Sequence, residues 1–238
     1  MTYALQAKIE EKRFPAVGSA PSKHVVQKFE LDVPENGFVA LFGPSGCGKT
    51  TILNILAGID SDFVGEIRRR DEDRIAYVFQ EPRLLPWLTV EDNLRLVLDD
   101  AVDAEPLIDL WLDEMGLRDV RKVFANRLSL GMARRVALAR AFVIHPKLLL
   151  MDEPFVSLDE PTALRLQHLL LETLSAHPAA VVFVTHSLRE AITLADRIVF
   201  LSRSPTSVLR IAAVPLDREQ RRDEQAIEAA RQELITDE

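Results

Sequence analysis

The chain has 238 residues, 47% of them hydrophobic and 28% charged, which is the balance of a globular domain able to bury a large core. The formal net charge of −8 argues against sequence-independent DNA binding, which depends on neutralising phosphates. The longest apolar runs, "KLLLM" and "AAVVFV", are strand-sized and far short of the roughly 20 residues that cross a bilayer. "MTYALQAKIEEKRF" at the start has no continuous apolar stretch of the kind a secretory signal needs. Cys47 is the single cysteine, so no intramolecular disulfide forms, and the cysteine usage points to a reducing compartment.

In chain order, the segments 38–42, 74–79, 147–152, 179–185 and 197–202 are short and almost unbroken in hydrophobicity. That pattern predicts strands buried on both faces. Helical patterns lie between them, at about 48–57, 128–145, 159–177 and 187–195. The alternation predicts an α/β architecture with a mostly parallel sheet. Residues 81–127 break it, with several prolines and helical patches such as "VEDNLRLVLDD". The reading is a single domain over 1–238, with an α/β core of 1–80 and 146–238 and an inserted helical lobe of 81–145. The tail from 216 onward is charged and has no apolar face large enough to join a core.

"GPSGCGKT" (43–50) follows the strand "FVALF" and opens the helix "TTILNILAG". This is the pattern G-x-x-x-x-G-K-[ST] in a strand–loop–helix setting. Gly43, Gly46 and Gly48 let backbone N–H groups turn inward on phosphates, with Pro44, Ser45 and Cys47 completing the loop. The helix start adds its dipole. Lys49 reaches the β and γ phosphates, the Thr50 hydroxyl is placed to ligate Mg²⁺, and Thr51 ends the nucleotide-binding stretch. Cys47, inside this cradle, is expected to be open to alkylation and protected by bound ATP.

"LLLMDEP" (148–154) ends an apolar strand in two carboxylates. Asp152, at the C-terminal end of that strand, is the outer partner of the Mg²⁺. Glu153 lies one residue further, on the opposite side of the strand, placed to polarise a water for in-line attack. His186 and Gln80 close two more such strands. The imidazole can reach the γ phosphate edge, and the neutral amide can touch Mg²⁺ or the attacking water without adding charge. "LSLGMARR" (128–135) starts with Ser129, a good helix cap, and carries an apolar stripe at Met132, Val136, Ala139 and Val143. A capped helix start is also an anion site.

Taken together, Gly43–Thr50, Gln80, "LSLGM", "LLLMDEP", "SLD" (157–159) and His186 occur in the order and spacing of ABC-type ATPases, and the chain resembles that family over nearly its whole length. The resemblance implies a P-loop NTPase core with a small N-terminal antiparallel β part. It implies a homodimer packed head to tail, with ATP held by the Lys49 cradle of one protomer and by Ser129–Gly131 of the other. Asp159 is then the carboxylate linking the two sites, and the aromatic that stacks on the adenine is Phe14, with Tyr3 as the second candidate. "FQEPRLLPWLTVEDN" (79–93) is similar to the subfamily serving nitrate, sulfonate and taurine importers. This implies transmembrane permease subunits docked on Glu81–Val90, a periplasmic-type binding protein reached through them, and a cytoplasmic position on the inner face of the cell membrane. Leu130, where glycine is usual, and Ala133–Arg134, where Arg–Gln is common, depart from the family. Leu130 is expected to be tolerated under apolar cover. A soluble ABC ATPase acting on a macromolecular partner is the alternative, but the coiled coils, zinc inserts and tandem cassettes that usually accompany it are missing from the sequence.

Overall fold

The computed structural model describes residues 2–16, 18, 21–70, 72–99, 103–217 and 219–236. Positions 17, 19 and 20 lie outside the described residues, as do the last two positions of the tail. The chain divides into two compact units, Met1–Glu72 with Ala180–Glu238, and Asp73–Ala179.

In the first unit, β1 (Tyr3–Phe14) pairs antiparallel with β2 (Lys23–Pro34) and with β4 (Val64–Arg68). Alternation along these strands sends Leu5, Ala7 and Ile9 of β1, and Phe29, Leu31 and Val33 of β2, into the core. The expected continuous apolar strands form a second sheet. There β3 (Phe38–Phe42) lies parallel to β7 (Ala180–Thr185) on one side and to β8 (Arg197–Leu201) on the other. An antiparallel β9 (Val208–Ala213) closes the edge beyond β8. All six residues of β7 are buried, which explains why its sequence shows no alternation. Helices α1 (Lys49–Leu56), α6 (Leu188–Leu194) and α7 (Glu224–Thr236) complete this unit.

In the second unit, β5 (Ile75–Val78) pairs parallel with β6 (Leu148–Asp152). Among the described residues, everything between these strands is helix, turn or loop. It comprises α2 (Val90–Arg95), α3 (Ala104–Glu114) and α4 (Leu130–Phe142), and α5 (Glu160–Ala176) follows β6. Trp111 of α3 is fully buried and its indole stacks on Phe142 at 5.3 Å and packs on His177 at 4.8 Å.

Two expectations need correction. The tail does own a core face: Ile227, Ala230 and Leu234 of α7 are buried, and α7 packs on α6. Their spacing of three and four is a helical stripe, hidden in the sequence by the charges around it. Glu153 is not on the strand at all. β6 ends at Asp152, and Glu153 starts a turn with φ of 42°.

Candidate active site

In the first unit, β3 delivers the chain to the loop 43–48, and α1 begins at Lys49. Gly48 is the residue before the helix, with φ of 122° and no side chain to cap it. A Cβ at this position would stand 2.8 Å from Val25 Cγ1 and 3.1 Å from Thr206 Oγ1, so both the dihedral and the space require glycine. Lys49 is only 5% exposed, and its ammonium donates to the Gly43 and Pro44 carbonyls at 2.8 and 3.0 Å. The cation is thereby folded into the loop that the sequence assigns to phosphates. Pro44, Ser45, Gly46 and Thr50 are exposed. Cys47 is not: it is 2% exposed, so the expectation that it is open to alkylation fails. The loop turns its thiol into the protein, within 3.4 Å of where a Cβ on Gly43 would stand.

His186 follows directly on β7 and is exposed. Its neighbours are fixed around it. The Ser187 N–H donates to Thr185 Oγ1 at 3.0 Å, Thr185 Oγ1 donates to Glu190 at 2.5 Å, and Ser187 caps α6 by accepting from the Glu190 N–H. Phe14 ends β1 with its ring 42% exposed. The ammonium of Lys12 lies 4.8 Å from that ring, itself buried and held by Asp60 Oδ1 at 2.8 Å.

In the second unit, Asp152 is buried at the end of β6. Its charge is felt at Tyr77 on β5: burial, and after it the Asp152 carboxylate, push the phenol well above its ordinary range against the opposing pull of Arg83. Gln80 sits two residues past β5 and is exposed, one step further out than the strand end the sequence suggests. Ser129 caps α4 as expected, with Oγ accepting from the Met132 N–H at 3.3 Å. Gly131 has little room, because a Cβ there would lie 3.0 Å from Thr162 Cγ2. Leu130 is the first residue of the helix and stays 40% exposed, without the apolar cover expected of it. Asp159 caps α5 through the Thr162 N–H at 3.2 Å, and bonds from Thr162 hold its carboxyl below the usual range.

One side chain was visible in the sequence only as a departure. Arg134 is buried, and its guanidinium donates to the Pro154 and Val156 carbonyls, both at 2.6 Å. It therefore braces the turn that begins at Glu153.

A family model described as ABC transporter matches residues 26–156, more than half of the chain. The chain belongs to the ABC transporter family. Among its ABC relatives is the aliphatic sulfonates import ATP-binding protein SsuB 2 of Pseudomonas syringae pv. tomato, 38% identical over 213 residues, which covers 90% of this chain and 91% of the relative. The SsuB 2 protein of Burkholderia cenocepacia is 39% identical over 217 residues, covering 89% and 80%. Among solved structures, the dimeric ATP-binding cassette MJ0796 in a post-hydrolysis state bound to ADP and Pi superposes with a TM-score of 0.75. It is 27% identical and covers 90% of this chain and 100% of that one. The fold is the P-loop NTPase fold of ABC ATPases, and the chain is an ATP-binding, ATP-hydrolysing ABC subunit.

Proposed function

We propose that this chain is the ATPase subunit that powers import of aliphatic sulfonates through a membrane ABC transporter. The observation that carries the reading is the cradle at 43–51, with Lys49 folded into it, in a chain alike over nine-tenths of its length to sulfonate-import ATP-binding proteins. The nitrate and taurine importers of the same subfamily are the neighbouring substrate classes.

Each site residue has a role in this proposal. Backbone N–H groups in the cradle 43–51 (Pro44 has none) and the Lys49 ammonium take the β and γ phosphates. Phe14 presents its exposed ring to the adenine. Asp152 and Thr50 are hard oxygen donors, and Mg²⁺ characteristically takes one or two such protein oxygens and completes its shell with phosphate oxygens and water. The buried, charged Asp152 carboxylate fits that ion. Bound there with Thr50 and Gln80, Mg²⁺ would neutralise charge on the transferring phosphoryl group. Glu153 accepts the proton of the attacking water, Gln80 orients that water, and His186 donates to the γ phosphate edge. Ser129 Oγ and the Gly131 N–H serve the γ phosphate of a partner copy, and Asp159 links the two sites of the homodimer.

Residues 81–145 serve as the helical subdomain, and 1–80 with 146–238 as the α/β nucleotide-binding core. The loop Glu81–Val90 docks the permease, and the binding protein is reached only through it. Among the described residues no helix is long and apolar enough to cross a membrane. Attachment through that loop places the chain peripherally, on the cytoplasmic face of the cell membrane. Nucleic acid is not among its partners on this reading, in keeping with the charge of −8.

Glu153→Gln tests the chemistry. The amide cannot take the water's proton, so turnover should fall by about 10²-fold or more while MgATP binding persists. Hydrolysis within twofold of wild type would remove Glu153 from the role. The substrate class is tested on the complex reconstituted with its permease and binding protein, where an aliphatic sulfonate, and not nitrate, should stimulate the ATPase.

A further inference from the structure

The loop between β8 and β9 carries "SRSPTS" (202–207), a stretch with no place in the motifs above. Its Thr206 is fully buried. The Thr206 N–H donates to the Val25 carbonyl at 2.7 Å, and the Thr206 carbonyl accepts from the Gln27 N–H at 2.8 Å, so the backbone here bridges to β2. Ser204 adds a bond to the His24 carbonyl at 2.9 Å. These contacts anchor the loop without using the threonine side chain. The hydroxyl goes elsewhere, donating to the Cys47 carbonyl inside the cradle.

That carbonyl belongs to the peptide that joins Cys47 to Gly48. In a trans peptide the C=O and the N–H point in opposite directions across one rigid plane. Holding the Cys47 oxygen against Thr206 therefore turns the Gly48 N–H the other way. The peptide needs such a hold. Gly48 has the freest backbone of any residue type, at φ of 122°, and no side chain caps the helix start beside it.

We propose that Thr206 is a positioning residue for nucleotide binding: its hydroxyl fixes the Cys47–Gly48 peptide so that the Gly48 N–H faces the phosphates. The inference rests on the reading of 43–51 as the phosphate cradle. Thr206 acts before any ligand arrives, by removing peptide orientations that present a carbonyl oxygen to an anion.

Thr206→Val keeps the shape and both backbone bonds but loses the donor; Thr206→Ser keeps the donor. Calorimetric titration with MgADP, alongside melting of the nucleotide-free proteins, separates the cases. Thr206→Val should bind about tenfold more weakly and Thr206→Ser within about twofold of wild type. In steady-state ATPase assays the loss should fall on the KM for ATP and not on kcat. If the valine variant does not fold, Thr206→Ala, which also retains the backbone bonds, takes its place. Unchanged MgADP affinity in the variant without the hydroxyl would overturn the proposal, even with a lowered Tm, since that is the result for a residue that only anchors its loop. Failure of serine to restore binding would overturn it too. Wild-type protein that binds no MgADP would defeat the cradle reading and this inference with it, whereas normal wild-type binding with an unchanged Thr206→Val defeats this inference alone.

Discussion

Arg134 shows how much one side chain can decide. Its guanidinium satisfies two carbonyls of a turn that starts at Glu153 and passes through Ser157, both residues with positive φ. A buried guanidinium with bonds of 2.6 Å is worth more than a neutral donor, because each charge-assisted bond contributes about 1.5–3 kcal/mol. Arg134→Ala leaves both carbonyls short of a donor next to Glu153, the carboxylate proposed to meet the attacking water. We expect kcat for ATP to fall about tenfold to a hundredfold, or ~1.4–2.8 kcal/mol of barrier, with MgADP affinity changed by less than about twofold. Steady-state ATPase together with ADP titration checks this, and an unaltered kcat would mean that the turn keeps its shape without the arginine. Leu130 is the opposite case. It stands 40% exposed at the helix start, and the cap of α4 is made by the Ser129 hydroxyl and the Met132 N–H without its side chain.

At the scale of elements, the helical region depends on a charge cluster around α2. Thr89 and Asp92 cap this helix reciprocally, with Thr89 Oγ1 donating to Asp92 at 2.5 Å. Glu91, buried in its first turn, accepts from Arg121 and Lys122, and Arg121 also reaches Glu105 and Asp109 of α3. Burial pushes the Glu91 carboxyl up, but the bonds from Lys122 and Arg121 outweigh it, and the group ends below its ordinary 4.5. A carboxylate held down in the folded state contributes stability above pH 4.5 and loses it as pH falls through the folded value. Glu91→Gln should therefore cost about 1–2 kcal/mol at neutral pH, discounted for the exposure of Lys122, and flatten the acid side of the stability profile. Urea unfolding between about pH 7 and pH 3 measures both effects. If the variant and wild type lose stability in parallel on acidification, the cluster is not what holds α2 to α3. The elements themselves were largely legible: β3 matches its predicted bounds, and β5 to β8 fall within one residue at each end, because continuous apolar runs leave little choice of register. The cradle was legible because strand, loop and helix occur there in sequence. Thr206 was not, since it meets Cys47 from 159 positions away with no spacing rule to announce it. The burial of Cys47 was missed for the same reason, since nothing in "GPSGCGKT" says which way the thiol turns.

For the molecule as a whole, the most exposed large apolar side chain among the described residues is Trp87, at 68%, on the loop 81–90. This is not a loose loop. Asn93, fully buried, exchanges bonds with the backbone of Leu85 and accepts none of the exposure itself, while its amide also reaches the Thr89 carbonyl at 2.9 Å. Arg140 of α4 holds the Pro82 and Arg83 carbonyls at 2.9 and 3.0 Å. An indole held outward on a braced loop is the form of an interface anchor. Trp87→Ala should weaken co-purification with the permease at least tenfold and leave the ATPase of the isolated chain within about twofold. Collapse of the isolated activity with assembly intact would make Trp87 part of the fold. The turn at Glu153 has a wider consequence. A left-handed backbone costs a residue with a Cβ about 1 kcal/mol that glycine would not incur. Glycine would relieve that cost and remove the carboxylate proposed to take the water's proton, so stability and turnover pull in opposite directions at this one position.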